Sequence, residues 1–305
     1  MKSATAPILF DRQKRLLSLL DALGGDVGNL DFQKLLLLFC SDGSVGQPYE
    51  FVPYKFGAFS FTSYADRRKL MDRGLLADEE NRWQLTESGR TQARRLRNGV
   101  EEAARFALTH KTLRGDSLVA HTYRTMPYYA TRSEIVERIL KGDSEALNAV
   151  SEARPARSAA GLATVGYEGR TCEAFLNVLL KAGVTVLCDV RRNPLSRKYG
   201  FSKGSLSRNV VSVGIRYEHI PALGIASDKR RNLESEADYR ALFDEYERES
   251  LPSRGDELIR IREWVETGET VALMCYELDP QQCHRHCVSG AMNSQFGASF
   301  APRHL

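Results

Sequence analysis

Four separated segments of the sequence hold the side chains able to do chemistry. They are Tyr167-Glu168-Gly169-Arg170, Asp189-Val190-Arg191-Arg192-Asn193, His219, and Cys275-Tyr276-Glu277 with Asp279. Three of these segments carry carboxylates, Glu168, Asp189 and Glu277. Such a set suits a general base beside an electrostatic partner for a cationic transition state. Carboxylates flanking a sugar are the usual means of breaking a glycosidic bond through an oxocarbenium-like state. Tyr167 offers a face for an extruded base and Asn193 a reader of its edge, while Arg191, Arg192, Arg197, Lys198 and Lys203 form a clamp for phosphates.

The stretch MCYELDPQQCHRHC (274–287) suggests two other chemistries. A structural zinc site wants four Cys or His ligands in paired short hooks. Read as one helix, however, Cys283 and Cys287 share a face while His284 and His286 point elsewhere, so no metal is expected and the two cysteines read as packing residues. A thiolate at Cys275 would sit at a strand end, but the following YELDPQ carries two carboxylates that raise a thiol pKa and repel phosphate. Two purely structural readings stand beside these. Asp189 with Arg191 or Arg192 makes an ion pair bracing the sheet edge, and His284 with Arg285 ties back onto strand-end carbonyls or Glu277.

The elements that must position these residues begin near residue 162. LATVGYEG, VTVLCDVRR, IRYEHIP and TVALMCYE read as strands, separated by helices in TCEAFLNVLLKAG, SKGSLSRNVVSVG, EADYRALFDEYERE and RGDELIRIREWVETG, with a terminal helix over CHRHCVSGAMNSQFG. Near-continuous apolar strands alternating with helices predict a parallel sheet covered on both faces, an α/β three-layer sandwich. In such sheets the ligand crevice lies outside the carboxyl ends of the strands, where all four polar segments fall.

The first half is mainly helical. DRQKRLLSLLDALGG and LDFQKLLLLFCSDG have helical leucine spacing, the second with Asp31 or Asn29 as its cap. YEFVPYKFGAFSF is extended, a helix follows that closes at Gly74, and RWQLT reads as a strand before a helix capped by Thr86 or Ser88. Over about residues 10–100 this resembles the helix, wing and helix of a winged-helix domain, which implies that Tyr64, Arg67, Arg68 and Lys69 enter a major groove with Arg82 on the wing. Winged helices also serve as protein-binding modules. Residues 101–140 read as helical, and DSEALNAVSEARPARSAAG marks the boundary, giving a helical unit over 1–155 and an α/β unit over 156–305.

The chain has 305 residues, 42% hydrophobic and 27% charged, with a net charge of +4, a composition suited to globular domains with real cores. No apolar run reaches the roughly 20 residues that span a bilayer, and the N-terminus turns charged early, so a cytoplasmic protein is expected. Six scattered cysteines suit reduced thiols better than a disulfide framework. Basic runs at 90–97 and 191–208, the second interleaved with aromatic and hydroxyl side chains, favour a polyanion such as DNA.

From TVGYEGRTCEAFLNVLLKAGVTVLCDVRRNPLSRKYGFSKGSL through GIRYEHIPALG to VALMCYELDPQQCHR, residues 163–290 resemble the DUF488 family of prokaryotic proteins of unknown function. The family's recurring positions correspond to Tyr167, Glu168, Gly169, Asp189, Arg191, Asn193, Pro194, Cys275, Glu277, Pro280, Cys283, His284 and Arg285. These observations together lead to the expectation of a DNA-acting enzyme without cofactor, a glycosylase removing a damaged or modified base in repair or phage defence. Glu168, Asp189 and Glu277 are its acid/base set, and Tyr167, Gly169, Asn193, Cys275, His284 and Arg285 contact substrate. The rivals are a Mg²⁺-dependent nuclease, a transferase centred on Cys275, and a DNA-binding regulator that senses a nucleotide.

Overall fold

The structure, a computed structural model, describes residues 9–43, 46–96, 99–156, 158–226, 228–229, 233 and 235–305. The chain divides into two units, Met1–Arg154 and Pro155–Leu305. Arg97 of the first basic run lies outside the described residues.

The N-terminal unit opens with α1 (Asp11–Ala22), β1 (Asp26–Gly28) and α2 (Asn29–Ser41). A hairpin of β2 (Val52–Tyr54) and β3 (Gly57–Phe59) precedes α3 (Phe61–Asp72), β4 (Arg82–Gln84) and α4 (Glu87–Arg95). β1 pairs antiparallel with β4, and a Leu76–Leu85 bridge extends that ribbon. The leucines of α1 and α2 form one core with Phe32, whose ring lies 4.4 Å from that of Trp83. The expected α2 cap is corrected: Gly28 occupies the cap position without a side-chain bond. The Asn29 amide instead donates to the Glu80 carbonyl, and Asp31 accepts from the Gly115 N–H. Thr86 caps α4, accepting from the Gly89 N–H. α5 (Val100–Thr109), α6 (Gly115–Thr125), α7 (Val136–Ile139) and α8 (Ser144–Glu152) complete the unit. The stretch read as a boundary thus begins as a helix, capped by Asp143.

The C-terminal unit runs β5 (Gly161–Gly166), α9 (Cys172–Lys181), β6 (Val186–Asp189), α10 (Lys203–Ser212), β7 (Arg216–His219), α11 (Glu236–Glu245), α12 (Gly255–Glu266), β8 (Thr270–Cys275), α13 (Arg285–Phe296) and β9 (Arg303–His304). All five strands are parallel, in the order β7-β6-β8-β5-β9. Leu162, Val186, Cys188, Val271 and Leu273 share a core with α11, α12 and α13. The alternate residues Ala163, Val165, Leu187, Ala272 and Met274 are equally buried, so both faces are covered, as the apolar strand pattern predicts. β9 is too short and polar to announce itself by pattern. It is held by a 2.7 Å bond between His304 Nδ1 and Thr164 Oγ1 and by the Leu305 N–H on the Thr164 carbonyl.

The terminal helix begins at Arg285, not Cys283. Asp279 and Pro280 start a separate 3-10 turn over Pro280–Gln282, after which Cys283 is extended at φ −141° and ψ 135°. Cys283 and His284 therefore do not follow the helical spacing on which their orientation was predicted.

Candidate functional site

Register brings the strand ends level. Gly166 pairs with Cys275, and Asp189 pairs with both Met274 and His219, so the loops after β5, β6, β7 and β8 leave the sheet at one edge. The loop after β8 crosses the end of β5, where the Tyr167 and Glu168 N–H groups both donate to the Tyr276 carbonyl at 3.0 and 2.8 Å. Only glycine permits this crossing at 166, since a Cβ there would lie 1.9 Å from the Glu277 carbonyl oxygen. Arg285, 1% exposed, fastens the same loop by donating to the Glu277 and Leu278 carbonyls at 2.6 and 2.9 Å. The structural reading of Arg285 as a tie onto strand-end carbonyls thus replaces its expected contact with substrate. Gly169, at φ 72°, makes the turn into α9, with open space beside it.

Pairing fixes which face each strand-end side chain takes. Asp189 lies opposite Met274, so it projects to the face opposite that of Cys275. The carboxyl-end residues consequently form two separate clusters.

Asp189 belongs to the first and is fully buried. Its Oδ1 accepts from Arg191 Nε at 2.8 Å and from the Arg191 backbone N–H at 3.2 Å. Its Oδ2 accepts from Arg191 Nη2 at 2.6 Å and from Tyr217 Oη at 2.7 Å. Arg191 Nη1 donates further to Tyr167 Oη and the Phe201 carbonyl. Burial disfavours the Arg191 charge, but the Asp189 carboxylate outweighs it and its pKa stands above the ordinary value. Burial, reinforced by Asp189, likewise raises Tyr217. With four donors and no exposed surface, Asp189 braces the sheet edge, which corrects its expected acid/base role. Arg191, 6% exposed, spends its donors on the same network, which leaves little of its expected part in a phosphate clamp.

Tyr167 is corrected with it. The residue is 4% exposed and its ring stacks on Phe201 at 4.2 Å, so although it lines a cleft at this edge it offers little surface for a base to stack on. Lys198 turns inward to the Tyr167 carbonyl and sits over the Phe201 ring. Lys203 donates to His219 Nδ1, and His219 Nε2 in turn donates to the Arg191 carbonyl. Of the expected clamp, Arg192, Arg197 and Lys203 are exposed, together with Asn193.

The second cluster is formed by Cys275, Cys283 and His284, each 1–2% exposed. His284 Nε2 donates to the Val190 carbonyl at the end of β6, which leaves Nδ1 facing Cys275 Sγ at 3.7 Å and Cys283 Sγ at 3.9 Å. Burial, with the neighbouring Cys275 thiol, pushes the Cys283 thiol well above its ordinary pKa. An unassisted thiolate is therefore disfavoured there. None of the six cysteines is in a disulfide.

Two of the clefts at this edge border the strand-end acids. One of about 240 Å³ is lined by Arg191, Arg192, Asn193, Leu195, Cys275, Tyr276, Glu277 and His284, among others. The other, about 660 Å³, is lined by Glu168, Tyr239, Phe243, Tyr276, Glu277, Asp279 and His286, among others. Tyr276 and Glu277 border both. Glu168 Oε2 accepts from the Leu278 N–H at 3.0 Å, which anchors that carboxylate beside the loop bearing Glu277. Tyr276, 46% exposed, is an accessible aromatic ring of the edge and stands 5.2 Å from Tyr167. It received no role from sequence, although the strand-end position of CYE marks it as fully as Glu277.

In the N-terminal unit, Arg67 is 9% exposed, donates to the Glu79 and Arg82 carbonyls, and lies over the Trp83 ring. It fastens the 73–85 segment to α3 and is withdrawn as a groove reader. Tyr64 packs on Phe59 and Trp83, and Arg82 pairs with Asp26 at 2.6 Å. Arg68 and Lys69 are exposed on α3. Among the described residues no helix is long and apolar enough to cross a membrane.

Residues 171–292 match the family model described as "Domain of unknown function DUF488". No curated protein and no solved structure matches the chain.

Proposed function

We propose, from the premise of a DUF488 domain over residues 171–292, that the chain is a DNA-acting hydrolase that cleaves the N-glycosidic bond of a damaged or modified base. The observation that carries this reading is the convergence of Glu168 and Glu277, from the ends of two adjacent strands, on one cleft that also presents the exposed Tyr276 ring. A cleft of about 660 Å³ falls within the roughly 300–1,000 Å³ of small-molecule sites.

In this reaction the base departs with the bonding electron pair and takes up a proton, the sugar carries oxocarbenium-like charge, and water adds at the anomeric carbon. Glu277 takes the proton from that water, and Glu168 offsets the positive charge. Tyr276 stacks on the extruded base in place of Tyr167. Arg192 and Arg197, both exposed, hold the flanking phosphates, with Asn193 between the phosphates and the base. Arg68 and Lys69 of α3 add affinity for duplex, in keeping with a winged-helix reading of the N-terminal unit. A role in repair or in defence against phage with modified DNA follows from such an activity.

The test is incubation with plain and base-modified DNA, with EDTA or with added Mg²⁺, followed by alkali. Breaks that require alkali mark abasic sites and support a glycosylase. Breaks that appear without alkali and only with Mg²⁺ replace it with a nuclease, and unaltered DNA across all substrates overturns the enzyme reading.

A further inference from the structure

We propose that Cys275, Cys283 and His284 form a binding site for Zn²⁺, with two thiolates and one imidazole as ligands and a fourth position open to the cleft of about 240 Å³. The site does not depend on the glycosidic reading, because it is defined by ligand atoms and not by substrate.

Distance is the first argument. Zinc binds sulfur at about 2.3 Å and imidazole nitrogen at about 2.0–2.1 Å, so a tetrahedron sets ligand atoms roughly 3.6–3.8 Å apart. The sulfur-to-nitrogen separations here are 3.7 and 3.9 Å, and all three ligand atoms lie within 4.8 Å of one another. They come from the end of β8 and from the segment just before α13, so a bound ion would link two elements.

The second argument is the imidazole. Because Nε2 donates to the Val190 carbonyl, its proton is fixed on that nitrogen and the Nδ1 lone pair is aimed at the two thiols. A backbone carbonyl in this role is the usual outer support of a zinc-bound histidine. A divalent ion compensates the thiolate charge that burial otherwise opposes, and binding releases the two thiol protons.

The third argument is access. Cys275 and His284 both contribute to the wall of the smaller cleft, and Glu277 lines it as well. Three protein ligands with one position facing a cleft is the arrangement of a zinc ion that binds and activates water. Glu277 stands on the same wall to take the proton from that water.

The test uses the full-length protein, purified after expression with added zinc and passed through a desalting column. Elemental analysis is expected to find one zinc per chain. Replacement by Co²⁺ is expected to give thiolate-to-metal charge-transfer absorption in the near ultraviolet with tetrahedral visible bands. Cys275→Ser, Cys283→Ser and His284→Asn should each remove the metal, whereas His286→Asn should retain it. Wild-type thiol titration guards against variants that fail to fold: all six thiols are buried, and chelation of the metal should raise the number that react by two. Zinc-free, Co²⁺-silent wild-type protein overturns the site. So does loss of metal with His286→Asn alone, or a Cys275–Cys283 disulfide that accounts for two missing thiols without metal.

Discussion

The Asp189 carboxylate and the Arg191 guanidinium meet in a two-pronged pair, Nε to Oδ1 at 2.8 Å and Nη2 to Oδ2 at 2.6 Å, with their side chains 0% and 7% exposed. A carboxylate at a strand end is where a catalytic acid is looked for, and this one is consumed by structure. Removing one partner strands a buried charge, at a cost of about 3–5 kcal/mol. Asp189→Asn is therefore expected to lower the melting temperature of the C-terminal unit by roughly 10 °C. Asp189→Asn combined with Arg191→Met should recover part of that loss. A calorimetric melt unchanged by Asp189→Asn, with activity abolished, would return Asp189 to the chemistry.

Glu168 and Glu277 are partly exposed at the cleft and are the carboxylates left for acid/base work. Glu277→Gln should reduce single-turnover cleavage by about 10²–10⁴-fold, the usual worth of a positioned acid or base, and Glu168→Gln by less. Melting temperature should stay near wild type in both. Retention of full rate in Glu277→Gln removes the carboxylate mechanism.

Tyr276 is expected to bind by its ring. Stacking contributes about 1–3 kcal/mol per base, so Tyr276→Ala should weaken single-stranded DNA binding by roughly 10-fold or more while Tyr276→Phe binds normally. Fluorescence anisotropy with a labelled oligonucleotide makes the comparison. Equal affinity in all three proteins would place the base elsewhere.

Two neighbouring arginines of α3 should behave oppositely. Arg67 holds the Glu79 and Arg82 carbonyls and Trp83, so Arg67→Ala should lower the melting temperature of the N-terminal unit. Arg68→Ala with Lys69→Ala should leave the melt alone and shallow the salt dependence of duplex binding by roughly one to two phosphate contacts. An unchanged salt slope in the double variant would argue for a protein-binding role of this unit.

Lys34 supplies a pH signature. It is 1% exposed with Nζ on the Ala58 carbonyl at 3.0 Å, and burial pushes its amine down to about 7 from 10.5. Between those values the unfolded chain holds a proton that the folded chain does not. The Lys34 contribution to stability therefore grows from about pH 7 toward 10.5 and is lost as pH falls through 7. Denaturant midpoints of wild type minus Lys34→Met, taken from pH 7 to 9, should rise with pH. A flat difference would mean that the amine stays charged in the fold.

Much of the architecture was legible in the chain. The apolar strands VLCD and TVALMC, separated by amphipathic helices, predicted a parallel sheet covered on both faces. Gathering the polar residues after each strand located the edge where Glu168, Glu277 and Tyr276 border one cleft. That much follows from local burial and from the rule that parallel strands open their loops at the same end. Whether a given acid is free there was not legible. The saturation of Asp189 depends on Tyr217, 28 residues away, and on a register that sets Asp189 opposite Met274. The cysteine and histidine cluster was hidden for a related reason. Helical spacing set His284 apart from Cys283, but Pro280 opens a short turn, Cys283 is extended, and both residues fold back on Cys275 and Val190. Periodicity reports what a segment does with its own backbone. Which side chain meets which across a sheet, and which donors have already filled a carboxylate, were decided only when the strands paired.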